Sequence, residues 1–101
     1  MATELHQKKL SNLELATFCK QMGMILHSGI SALEGLTLLS EDAQNDSEQD
    51  LLKQLICKIE EAGSFYEATL SSNVFPFYAL HMIRLGEETG TLDEIMNALG
   101  E

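Results

Sequence analysis

Four carboxylates crowd one short stretch of this 101-residue chain: Glu87 and Glu88 ahead of Gly90, Asp93 and Glu94 just after it. Oxygen donors that approach one another across a tight helix–helix corner suit a hard cation such as calcium, held by one chain or shared with a partner chain. Glu87, Glu88, Asp93 and Glu94 are therefore the candidate metal ligands, with calcium as the candidate ion. The competing reading makes Gly86 and Gly90 simple corner residues. A second acidic run, Glu41, Asp42, Asp46, Glu48 and Asp50, imitates the alternating carboxylates of a calcium loop. It has no glycine at the sixth loop position, and the twelfth position counted from Asp46 is Cys57, not a bidentate Glu. It reads as a solvated loop and helix start.

Nucleophilic catalysis has no constellation to work with. There is neither a G-x-S-x-G elbow nor a glycine-rich phosphate loop, and His6, His27 and His81 stand in unrelated contexts. His27 falls in the last turn of a helix, where an imidazolium favours the negative end of the helix dipole. Cys19 and Cys57 lack metal or redox spacing and read as buried free thiols. No catalytic residue is assigned, and an enzyme is not expected.

The charge narrows the partners. Lys and Arg number 6 against 16 Asp and Glu, a net −10, with residues 1–30 at +1 and the remainder at −11. That sign repels phosphate backbones and anionic lipid surfaces, so nucleic-acid binding is disfavoured. The best apolar run, Met22 to Leu26, ends at His27, far short of the ~18–20 residues that span a bilayer. The start of the chain, Met1 to Lys9, is too polar for a secretion signal.

Helices must position these residues. Ser11-x-x-Glu14, Ser31-x-x-Glu34, Ser64-x-x-Glu67 and Thr91-x-x-Glu94 each match a capping box, and each opens an apolar pattern at helical spacing. The pattern predicts helices over about 12–28, from Ser31 toward Ala43, from Ser47 to Gly63, over 65–71, from Pro76 to Glu88, and from Thr91 onward. Pro76 suits the first turn of the fifth. Core candidates include Leu15, Cys19 and Met22 on the first helix, Leu55 on the third, Phe77, Leu80 and Ile83 on the fifth, and Met96 on the sixth. Leu13 and Met24 lie off the main stripe of the first helix, so that helix must be central or covered by another subunit. No useful stretch alternates with period two, and Val74 is the only valine. The expected fold is all-α, a compact antiparallel bundle of about six helices over 11–101, preceded by a flexible tail over 1–10. The sixth helix is expected to be cut off while still in phase, as in a fragment of a longer protein.

Beyond these signals, the run Phe18-Cys19-Lys20-Gln21-Met22-Gly23-Met24-Ile25-Leu26-His27-Ser28-Gly29-Ile30 resembles the opening motif of the platform proteins of bacterial type II secretion and type IV pilus systems. Ser31-Ala32-Leu33-Glu34-Gly35-Leu36 is similar to the second helix of that family. Ala62 to Ala68, Phe75-Pro76 and the stretch Ile83 to Leu92, with its Gly-Glu, small residue, Gly, Leu order, are similar to later parts. Ser28 departs from the commoner Ala, and Phe65-Tyr66 is bulkier than usual.

The resemblance implies the cytoplasmic domain of a polytopic bacterial inner-membrane protein, with membrane-spanning helices following; family members often carry the domain twice, and the polar start at Met1 favours the first copy over the second. It implies a non-enzymatic platform that contacts the assembly ATPase and other inner-membrane secretion or pilus components, and that forms homo-oligomers. It also strengthens the calcium reading at Glu87, Glu88, Asp93 and Glu94. A free-standing acidic metal-binding or regulatory domain is the alternative.

Overall fold

Side-chain caps set most of the helix starts in the structure, a computed structural model that describes residues 9–101. The helices are α1 (Asn12–His27), α2 (Ala32–Glu41), α3 (Asp46–Ala62), α4 (Phe65–Ser72), α5 (Phe77–Thr89) and α6 (Leu92–Leu99). Among the described residues there is no strand. At α1 the capping box is complete. The Ser11 hydroxyl accepts from the Glu14 N–H at 3.1 Å, and the Glu14 carboxylate accepts from the Ser11 N–H at 2.8 Å. Ser31 and Ser64 accept likewise from the N–H groups of Glu34 and Glu67.

Two starts differ from the sequence reading. Asn45, not Ser47, caps α3, its side-chain oxygen accepting from Glu48 N at 2.8 Å. Pro76 stands one position ahead of α5 rather than inside its first turn.

Of the expected tail, residues 1–8 with His6 lie outside the described residues. Lys9 and Leu10 are held against the α4–α5 corner. Leu10 N donates to Val74 O at 2.9 Å, and Lys9 Nζ donates to Asn73 O at 2.9 Å.

Consecutive helices pack on one another, as short connections require. Yet the most extensive pairing joins the two ends of the series, α1 and α6. It is antiparallel. His27 meets Asp93, Gly23 lies against Asn97, and Gly100 lies against Lys20. The core draws on every helix. Leu15, Cys19 and Met22 come from α1, Leu36 from α2, Leu52 and Leu55 from α3, Phe65 and Ala68 from α4, Ala79, Leu80 and Ile83 from α5, and Met96 from α6. Full burial of one Leu or Met stabilises by about 1.5–3 kcal/mol, more than a typical net hydrogen bond at about 0.5–1.5. Aromatic contacts close one end. Phe18 stacks on Phe65 at 6.4 Å between ring centroids and meets Phe75 edge-on at 5.6 Å.

Two core expectations are corrected. Phe77 is 81% exposed. The corner from Asn73 to Pro76 turns Val74 and Phe75 inward and leaves Phe77 on the side of α5 away from Ala79, Leu80 and Ile83. Cys57 is exposed as well, because it falls on the face of α3 opposite Leu52 and Leu55.

The α1–α6 contact yields a test in which two effects oppose each other. A Cβ on Gly23 would collide with the Asn97 side chain and sit 2.9 Å from Asn97 N, so the backbones must part. Replacing Gly by Ala inside a helix ordinarily gains up to ~1 kcal/mol, whereas forcing atoms into a packed contact costs about 1–3 kcal/mol. Gly23→Ala is expected to lower the urea midpoint of unfolding with an unchanged m-value.

Candidate functional site

The corner between α5 and α6 is built on a glycine at each end. Gly90, at φ +73°, ends α5 in the left-handed region, and the Gly86 carbonyl accepts from the N–H groups of both Gly90 and Thr91, the latter at 2.8 Å. A Cβ on Gly86 would lie 2.8 Å from Ile95 Cγ1 and 3.0 Å from Leu92 Cα, so only glycine lets α6 fold back this closely. Leu26, Gly86, Glu87, Gly90, Leu92 and Asp93 line a shallow depression of about 430 Å³ there.

The four sequence-predicted acids do different things around this corner. Glu87 reaches back to the start of α4, where its two oxygens accept from Ser64 Oγ at 3.0 Å, Phe65 N at 2.9 Å and Tyr66 N at 2.8 Å. A carboxylate at a helix N-terminus meets orphan donors and the positive end of the dipole together. Ser64 serves twice, since its hydroxyl donates to Glu87 while accepting from Glu67 N. Glu88 accepts from Arg84 Nε at 3.2 Å, one turn back on α5. Asp93 Oδ2 faces His27 Nδ1 at 3.2 Å across the α1–α6 contact, while its Oδ1 accepts from Glu94 N at 2.9 Å. The His27 hydrogen bond, followed by the Glu94 N–H, holds the Asp93 carboxyl below its ordinary range. The Glu94 side chain is exposed. Among the described residues no three His, Cys, Asp or Glu side chains gather as a metal-holding group.

The capping box expected at Thr91 does not form. Thr91 has φ −121° and ψ 30°, which turns its hydroxyl away from the helix start and onto Thr89 Oγ1 at 2.7 Å. Asp93 takes the Glu94 N–H instead.

The two thiols differ in setting, Cys57 exposed on α3 and Cys19 buried. Burial in the core pushes the Cys19 thiol up to about 12, so it stays protonated at neutral pH. The hydroxyl nearest His27 in sequence, that of Ser28, donates back to Met24 O at 3.0 Å. His81 is exposed on α5.

Sequence reasoning pointed to the first or fifth helix as the one that buries a patch against another chain, but by placing Phe77 in the core it missed which residues form the outer face of α5. Phe77, Tyr78 and Leu85 are 81%, 56% and 51% exposed. Beside it, α4 and α5 enclose an open groove of about 440 Å³ lined by Ser64, Tyr66, Glu67, Leu70, Arg84, Glu87 and Glu88. Arg84 lies over the Tyr66 ring, 5.9 Å from its centroid. A helical projection that put Ala79, Leu80 and Ile83 inward would have left Phe77, His81 and Leu85 outside. On α1, Leu13 and Met24 are 76% and 61% exposed. Among the described residues no helix is long and apolar enough to cross a membrane.

The family model for the type II secretion system (T2SS), protein F, matches residues 18–101. The chain is 30% identical over 86 residues to the type IV pilus assembly protein PilC of Thermus thermophilus, covering 85% of this chain and 21% of that protein. It is 41% identical over 75 residues to the protein transport protein HofC homolog of Escherichia coli, covering 73% of this chain and 19% of that protein. Against the type II secretion system protein F of Aeromonas hydrophila the identity is 29% over 84 residues, covering 83% and 22%. The chain thus spans about a fifth of the length of these relatives.

Two outcomes follow from the corner. Glu87→Ala removes the acceptor of three donors at the start of α4 and, as the loss of a helix cap does, is expected to cost about 0.5–2 kcal/mol in chemical unfolding, with hydrogen exchange rising first at Phe65 and Tyr66. Asp93 has a lowered folded-state pKa, so its contribution to stability is complete above the ordinary carboxylate value of about 3.9 and disappears as pH falls through the lower folded value. Stability measured down that acid range is expected to fall less steeply in Asp93→Asn than in the parent.

Proposed function

The chain belongs to the type II secretion system protein F family, and from that membership we propose that it is a non-enzymatic scaffold domain of a bacterial inner-membrane platform protein. It lies on the cytoplasmic side and couples an assembly ATPase to the movement of pilins or pseudopilins through protein–protein contacts. Homo-oligomers and other inner-membrane components of a secretion or pilus machine complete its set of partners.

The observation that carries this reading is a division of labour among the side chains. Several groups able to do chemistry are occupied in holding helices together: Glu87 on α4, Asp93 on His27, Cys19 in the core. Large apolar side chains, in contrast, point outward on α1 and α5. A helical body of this kind is suited to receive and pass on force by contact. The alternative of an acidic calcium-binding domain requires Glu87 and Asp93 to give up those bonds. Calorimetry separates the two readings: heat from calcium binding tighter than millimolar would favour the alternative, and none at several hundred micromolar is expected.

The cellular test uses the full-length protein. Met24→Ser together with Phe77→Ser, both at exposed positions, is expected to reduce pilus assembly or secretion at least about tenfold, as loss of contact anchors does, with protein abundance unchanged. Full activity in that variant, with the ATPase still failing to co-purify with either form, would contradict the scaffold reading.

A further inference from the structure

We propose that the outer face of α5, with the groove it shares with α4, is the docking surface for a basic amphipathic helix of a partner protein. The inference rests on the scaffold reading only for the expectation that a partner exists. Its substance is the chemistry of the face.

Successive positions bring Phe77, His81, Arg84 and Glu88 into one row along α5 at steps of four, three and four, with Tyr78 and Leu85 on its flank. Phe77, Tyr78 and Leu85 are all more than half exposed, and at the other side of the groove Leu70 of α4 is 39% exposed. Tyr78 and Leu85 stand seven residues apart along one line of α5, with Phe77 beside Tyr78, and exposed aromatic and aliphatic side chains two turns apart are usual anchors for a second helix laid along the first. The row is continuous with the groove, because Arg84 and Glu88 belong to both.

Charge selects the occupant. The groove carries Glu67, Glu87 and Glu88 against the single guanidinium of Arg84, which is already paired with Glu88. Three carboxylates against one guanidinium leave the groove lining net negative, so a lysine or arginine on the incoming helix would be attracted there, beside the C-terminal half of α5, where the helix dipole is also negative. A second copy of this chain would bring the same acidic rim and a net charge of −10. An anionic lipid surface is repelled for the same reason. A basic helix with one apolar stripe satisfies both the side chains and the field.

The test uses the 101-residue chain and a synthetic helical peptide with leucines along one face and lysines elsewhere. A control peptide has glutamates in place of the lysines. Amide shifts in two-dimensional NMR are expected to concentrate at Leu70, Phe77, His81 and Leu85, with the control binding at least about tenfold more weakly. Phe77→Ser with Leu85→Ser is expected to weaken the lysine peptide at least about tenfold with an unchanged circular dichroism spectrum. Leu13→Ser is expected to leave binding as it was.

Shifts centred on the carboxylates of 41–50 would overturn the proposal, since they would reduce binding to charge attraction alone. So would a concentration-dependent dimer that Phe77→Ser dissolves, which would make a second copy the occupant. Flotation with phosphatidylglycerol vesicles abolished by Phe77→Ser would equally overturn it, in favour of lipid. Failure of the peptide test alongside a cellular defect in the surface variant would remove this docking class and leave the scaffold reading standing.

Discussion

The approach of α6 onto α1 is the contact on which the rest of the structure depends. Where Gly23 meets Asn97 and Gly100 meets Lys20, the two helices come closer than side chains with a Cβ would allow. That closeness brings Met96 over the face of α1 that carries Cys19 and Met22, and all three are fully buried. Interiors packed to this density respond to even one added carbon. The same device recurs at Gly86, where α6 folds back on α5. One helix is thereby fixed from two sides, and the chain's first and last helices are joined into a closed body.

Charged groups then lock the geometry that packing allows. Glu87 ties α5 to the first turn of α4, and Asp93 ties the start of α6 to the end of α1. Both act where orphan backbone groups or a helix dipole give a carboxylate something to bind. Within the acidic corner Glu87 and Asp93 thus serve as joints between helices, while large apolar residues of α1 and α5 stand exposed.

Features governed by local chemistry were legible in the sequence. Ser11, Ser31 and Ser64 cap the helices that their spacing to Glu14, Glu34 and Glu67 indicates, and Gly63 and Gly90 end helices at positive φ. The all-helical fold and the protein family followed from those signals and from the motifs between them. What was hidden depends on partners distant in sequence. Glu87 is 21 to 23 residues from the groups it caps, and His27 is 66 from Asp93. Thr91 carries the right spacing, yet its backbone angles, imposed by the tight Gly86–Thr91 turn, take its hydroxyl elsewhere. Cys57 reads as core by residue type and Phe77 by its helical spacing to Leu80 and Ile83, while the direction of each helix face is decided by the neighbours that Leu80 and Leu55 find.

Native-state hydrogen exchange addresses the central claim most directly, by comparing α6 amides with those of α1. If the α1–α6 contact closes the bundle, Ile95, Met96 and the α1 amides of Cys19 and Met22 will exchange only through one shared opening, with the same dependence on denaturant. Exchange of α6 through a separate opening of much lower free energy, with α1 still fully protected, would show that the other helices hold the fold without it.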